Sequence, residues 1–177
     1  VYYYAGSVYR DLNDAPQALE YFQKALDALS TDGNITLKSN IYNQSAHLFL
    51  YQNLYAEALK MFKESYICDS IANDSISVIY SLRDIAFTYD ALGKRDCSRH
   101  YYNKAYELAT NYGDEEIQID IVGQMAAHFL LTKDYKKMKE YLMRSLYSNV
   151  NKDKTIDYNL ASIMFMRTGL HDSAYYY

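Results

Sequence analysis

Small and apolar residues recur along this chain in columns forty positions apart. Ala18, Ala58 and Ser98 form one column, with Met138 in the fourth place. Gly6, Ala46, Ala86 and Ala126 form a second, and the aromatics Tyr9, Phe49, Tyr89 and Phe129 a third. Phe22, Phe62, Tyr102 and Leu142 make the fourth. Within each period the apolar positions step by three and four residues, the spacing of one helix face. A helix is expected from about Ile35 to Tyr51, turning Ile41, Ser45, Leu48 and Phe49 to one side. After a break at Gln52-Asn53-Leu54, a second is expected from about Tyr55 to Cys68, carrying Ala58, Leu59, Phe62 and Tyr66. Turn-rich stretches separate such pairs: Ser30-Thr31-Asp32-Gly33-Asn34, Asn73-Asp74, Asn111-Tyr112-Gly113-Asp114 and Ser148-Asn149. Their Gly and Asn tolerate left-handed backbone, and their Asp residues cap the helix that follows.

The small columns have a mechanical reason. Where two helices of a pair cross closely, a large side chain would push the backbones apart, so Gly6, Ala46 and Ala86 are expected to face Ala18, Ala58 and Ser98. The aromatic columns then fill the wedge between one pair and the next. Such units bury a continuous core only by stacking, and stacked arrays serve mainly to bind. With 177 residues, length counts repeats rather than the size of one core. One proline and six glycines leave little room for a turn-rich β protein. A formal charge of −4 without a basic run argues against nucleic acid as a partner of this domain. No apolar stretch approaches the roughly 18 residues needed to span a bilayer, which argues against a membrane partner. Tyrosine is the compositional outlier, 22 residues with no tryptophan. Its large apolar ring and polar tip suit helix packing and peptide contact alike. Cys68 and Cys97 fall at opposite ends of adjacent helices, roughly 16 Å apart by helical rise, so two free thiols are expected.

The segment from Tyr2 to Ala25 places Tyr2, Ala5, Gly6, Tyr9, Ala18, Phe22 and Ala25 in a pattern that resembles the tetratricopeptide repeat (TPR). The resemblance continues through Tyr42, Ala46, Phe49, Tyr55, Ala58, Phe62 and Ser65, then Leu82, Ile85, Ala86, Tyr89, Gly93, Tyr102 and Ala105. A fourth unit fits at Val122, Ala126, Phe129, Tyr135, Leu142 and Ser145, and a fifth at Tyr158, Ser162, Phe165, Gly169 and Ala174. It implies an all-α fold, a right-handed α-α superhelix of about five helix pairs. The expected repeats run approximately 1–33, 34–73, 74–113, 114–151 and 152–177, the last truncated. The period of 40 exceeds the family's usual 34, and Ser30, Ser70 and Thr110 stand where a proline usually closes the repeat. Helix B is therefore expected to run longer, as in the long-repeat TPRs of bacterial regulators. Arg95 and Met138 are bulkier than their columns and predict less regular packing in units three and four. Both ends fall within a repeat, so further repeats or another domain are expected beyond at least the C-terminus, and the truncated ends are candidates for self-association.

The resemblance further implies a protein or peptide partner in the concave groove lined by the A helices. Carried over position by position, the groove comprises Tyr3, Ser7 and Arg10, then Asn40, Asn43, His47 and Tyr51, then Tyr80, Arg83, Phe87 and Asp90. Asp120, Gly123, Ala127 and Leu130 follow from unit four, and Asn159, Ile163 and Arg167 from unit five. Amides would grip a peptide backbone, aromatics its side chains and arginines an acidic group. The Lys and Asn that clamp a terminal carboxylate in chaperone-binding TPRs have no counterparts here. Their places hold Tyr3 with Ser7, Asn43 with His47, and Arg83 with Phe87. Ala127, Leu130, Ile163 and Met166 suggest an apolar stretch for an ordered partner.

Catalytic readings have little support. His47, His100, His128 and His171 fall in different repeats without metal-ligand spacing, and there is neither a phosphate-binding loop nor a nucleophile elbow. Glu115-Glu116 reads as a helix N-terminus. No enzyme, metal or cofactor is expected. The two readings left are a binding scaffold and a sensing domain of a bacterial regulator whose output lies elsewhere. The tyrosine- and asparagine-rich style resembles regulators and lipoproteins of the gram-negative envelope, leaving cytoplasm and periplasm both open. Three Asp-Ser triplets (Asp69-Ser70-Ile71, Asp74-Ser75-Ile76, Asp172-Ser173-Ala174) resemble an O-glycosylation sequon, and Asn34 and Asn73 begin N-linked ones.

Overall fold

A computed structural model describes residues 1–29, 33–148 and 155–167. Among these residues the chain is all helical. It contains α1 (Tyr2–Asp11), α2 (Ala15–Ala28), α3 (Ile35–Tyr51), α4 (Tyr55–Ile71), α5 (Ser75–Ala91), α6 (Arg95–Tyr112), α7 (Glu115–Leu131), α8 (Tyr135–Leu146) and α9 (Thr155–Arg167). None is long and apolar enough to cross a membrane. The expected turn at Ser30-Thr31-Asp32, and everything proposed for Gly169, His171, Asp172-Ser173-Ala174 and the final tyrosines, lie outside the described residues. The α3 bounds match the expected ones, whereas α4 runs on to Ile71 instead of ending at Cys68.

The turns obey the same period as the core. Asn13, Asn53, Gly93 and Lys133 all take φ between +59° and +72°, each just past the C-cap of an A helix. The next amide then reaches back to the third-last helical carbonyl: Asp14 to Tyr9, Leu54 to Phe49, Lys94 to Tyr89 and Asp134 to Phe129. This is the Schellman arrangement, which satisfies orphan carbonyls and turns the chain sharply into helix B. Helix starts are capped by Asp14, Asn34, Asp74, Asp114 and Asp134, whose side chains accept from the third amide onward. Glu115 and Glu116 occupy the first turn of α7, where the helix dipole favours them.

Packing explains the columns. Ala18, Ala58, Ser98 and Met138 have no exposed surface, and neither do Ala46, Ala86 and Ala126. A Cβ added at Gly6 would lie 2.5 Å from the Phe22 ring and 3.2 Å from the Ala18 carbonyl oxygen, so the crossing needs a hydrogen there. Phe22, Phe62, Tyr102 and Leu142 are buried beneath these crossings. Three members of the Tyr9–Phe129 column also meet a ring within their own pair, which was not expected. Tyr9 lies on Tyr21, Tyr89 on Tyr101 and Phe129 on Tyr141, with centroids 5.3–5.4 Å apart. The two bulky residues of units three and four are accommodated individually. Met138 sits in a core running from α5 to α9, and Arg95 reaches back to donate to the Asp90 carbonyl at 2.6 Å. An unbranched thioether and a long flexible stem adapt to space that a rigid side chain would not. Cys68 is buried and Cys97 exposed, and both are free thiols.

Candidate functional site

Between α3 and α5, over the inner face of α4, the array opens a recess of about 170 Å³. Its walls are Ser39, Asn40, Asn43, Ser77, Tyr80 and Ser81, and its floor is Ser65 and Asp69. Three of these, Asn40, Asn43 and Tyr80, are groove positions expected from the repeat register. The other five are not, although they carry a detectable sign. Ser81 occupies a column whose other members are the fully buried Ile41 and Ile121, and Ser39 one shared with buried Ile79 and Ile119. Asp69 stands where Ala109 fills the next unit. Three polar residues in otherwise apolar columns converge on one point. Asp69 is 5% exposed, and its carboxylate accepts from the Ser39 hydroxyl and, at 2.7 Å, from that of Ser81. The Ser65 hydroxyl donates to the Ser39 carbonyl at 3.2 Å. Burial, acting before the Asp120 charge, holds the Tyr80 phenol above its ordinary pKa, so it stays neutral at the rim.

A chain of charges continues along the same face. Arg83 donates to Asp84 through Nε and Nη2 at 2.9 and 2.8 Å, and to Asp120 on α7 through Nη1 at 2.7 Å. Its guanidinium also lies 4.9 Å from the centre of the Tyr80 ring. Burial opposes the Arg83 charge, but the two carboxylates outweigh it and raise its pKa. His47 approaches the other Asp84 oxygen at 3.6 Å and rests edge-on against Phe62. Burial lowers the His47 pKa, Asp84 opposes this and Arg83 adds to it, so the ring is neutral near pH 7. One cation therefore faces two carboxylates. Arg83, expected to meet an acidic ligand, is tied within the protein through three of its five N–H donors.

Asp90 is corrected more sharply. At 6% exposure it is closed off from the groove. It holds His128 Nδ1 at 3.0 Å and Arg95 Nη1 at 3.0 Å. Ser98 Oγ lies 3.3 Å from the same His128 nitrogen. An acid, a histidine and a serine thus meet, yet both partners crowd Nδ1, and buried Nε2 has no partner among the described residues. A proton relay needs the serine and the acid on opposite ring nitrogens, so this is an interior tie between α5, α6 and α7. Among the described residues no group of three or more metal-ligating side chains is gathered.

The remaining expected groove residues divide between ties and open surface. Tyr3 packs against the first core, and the Ser7 hydroxyl donates to its carbonyl at 3.1 Å. Arg10 is engaged by Gln44 and Asp11. Tyr51 and Phe87 are open, 81% and 45% exposed, and Asn159 and Arg167 are exposed on α9. Of the expected apolar stretch, Ala127 and Leu130 pack onto the core, Ile163 is half-buried and only Met166 is open.

Residues 1–66 match the family model described as tetratricopeptide repeat. No curated protein matches the chain in sequence. Solved structures share its fold at low identity, among them a putative kinesin light chain from Podosopora anserina described as having TPR-like repeats. BtubC from P. vanneervenii superposes with a TM-score of 0.81 at 14% identity, covering 96% of this chain and 72% of that one. The Rap conjugation gene regulator of plasmid pLS20, solved with the Phr* peptide, gives 0.80 at 12% identity. That match covers 99% of this chain but 50% of the regulator. The apo form of RapI gives 0.79 at 15% identity, over 96% of this chain and 61% of RapI. The chain is a TPR-like solenoid that spans half to three-quarters of the length of BtubC, the Rap regulator and RapI.

Proposed function

We propose that this TPR-like solenoid is a non-catalytic binding module that takes an extended peptide along the face formed by α3, α5 and α7. The observation that carries the reading is the recess at Asn40, Asn43 and Tyr80, where the array gives up apolar packing for open polar surface. Amides there match the alternating donors and acceptors of an extended backbone, and the exposed rings of Phe87 and Tyr51 offer apolar contact further along. The likeness to a Rap regulator solved with a peptide supports the fold's capacity for such a ligand. The same likeness favours a second reading, a sensing module whose output lies in another part of a longer protein.

The test is to pan a displayed random peptide library on the wild-type protein and on Asn43→Ala/Tyr80→Ala. Enriched peptides that lose binding to a folded double variant support the groove. Peptides that bind both equally place the partner on another surface and overturn the proposal.

A further inference from the structure

We infer that the Asp69 recess is a subsite for a primary ammonium group, supplied by a lysine side chain or by the free N-terminus of a peptide. The inference rests on the peptide reading for its setting, but its chemistry comes from the hydrogen bonds alone. Each serine hydroxyl has one proton to give. Ser39 and Ser81 give theirs to Asp69, Ser77 gives its proton to Asp74 at 2.8 Å, and Ser65 turns its own toward Ser39. The serines therefore present oxygen lone pairs around the Asp69 carboxylate at the floor, while the Asn40 and Asn43 amides and the Tyr80 hydroxyl at the walls can donate or accept. Arg83, the cation further along the same face, is held by Asp84 and Asp120.

A buried carboxylate held by neutral hydroxyls attracts positive charge, and an acceptor-lined floor rewards a group with several donors. An ammonium brings three donors and one charge on a small head, and a volume of about 170 Å³ admits it with its adjoining methylenes. A carboxylate or phosphate at the floor would meet the like charge of Asp69 and the serine lone pairs, so the floor favours a cation over an acidic ligand. The position of the recess in the fold agrees with a ligand role. Equivalent units fill these columns with Ile41, Ile121, Ile79, Ile119 and Ala109, and an interior built for stability alone would have kept them apolar.

The probe is n-butylammonium, the end of a lysine side chain, titrated into the folded protein at physiological ionic strength. Amide resonances of Ser39, Ser65 and Ser81 are followed by NMR, with butan-1-ol as the uncharged control. Saturable shifts are expected with the ammonium only, and at least tenfold weaker binding in Asp69→Asn. Asn43→Lys, which lays a tethered ammonium across the mouth and leaves Asp69 in place, should abolish the response. This second variant decides the matter if Asp69→Asn does not fold. Equal shifts with butan-1-ol, unchanged binding in folded Asp69→Asn, or full binding in Asn43→Lys would overturn the inference. Competition by N-acetyl-lysine methylamide against alaninamide then separates a side chain from a chain terminus. Peptides that need Asn43 and Tyr80 but ignore Asp69→Asn would sink this subsite and leave the groove standing. Butylammonium binding without any groove peptide would do the reverse.

Discussion

Replacing Arg83 by methionine separates a structural tie from a ligand contact. Methionine keeps the unbranched stem that packs beside Tyr80 but removes the guanidinium. Asp84, whose side chain is 9% exposed, then loses a two-pronged partner at 2.8 and 2.9 Å. A charge-assisted pair of this burial contributes about 2 kcal/mol. Asp120 is 38% exposed, so solvent screens its loss to about 0.5 kcal/mol. The contact with the Tyr80 face adds about 0.5 kcal/mol at this partial exposure. The total is a destabilisation of about 3 kcal/mol, a large fraction of a domain's usual stability. It is measured by urea unfolding followed by far-ultraviolet circular dichroism, with Asp84→Asn and Asp120→Asn completing two double-mutant cycles. Coupling should be several-fold larger to Asp84 than to Asp120, while peptides selected on the wild-type groove keep their affinity for Arg83→Met. A loss below about 1 kcal/mol, or stronger coupling to exposed Asp120, would refute the dominance of the buried Asp84 contact.

Two further outcomes follow from groups near the same face. Because burial lowers the His47 pKa, the unfolded chain binds a proton that the folded chain resists. This group therefore costs no stability above pH about 6.5 and takes stability away as pH falls below it. Urea midpoints at about pH 7.5 and 5.5 should fall less in His47→Gln than in the wild type, and a parallel fall would remove His47 from the pH response. Burial, with Asp69 and Glu64 adding to it, raises the Cys68 pKa, whereas Cys97 is exposed. A thiol reagent at neutral pH should label Cys97 promptly and Cys68 only on unfolding, with equal labelling contradicting the α4 packing.

The forty-residue columns carried the fold in the sequence because their causes act at fixed spacing. A close helix crossing at Gly6 or Ala46 tolerates only a small side chain, and a buried ring such as Phe62 must return at each repeat to fill the next layer. The left-handed turn positions Asn13, Asn53, Gly93 and Lys133 obey the same rule, though only the first three residue types announce it. The recess was legible in part. Asn40, Asn43 and Tyr80 do line the recess, because an A-helix face repeats like any other. Which groove side chains stay free does not repeat, since it depends on what the neighbouring helix presents. Arg83 is held from 37 residues away by Asp120, and Asp90 from 38 residues away by His128. Periodicity is silent on such pairings, because a charged side chain at a groove position reads the same whether its partner is protein or ligand. Ser39, Asp69 and Ser81 lay between the two cases. Each was visible as a polar residue in an apolar column, but only the packing of α3, α4 and α5 brought all three to one carboxylate. The sequence by itself determined the array and the small residues at its helix crossings, through steric needs that recur every repeat. The tertiary structure alone decided the chemistry of the A-helix face, through pairings between repeats that occur once.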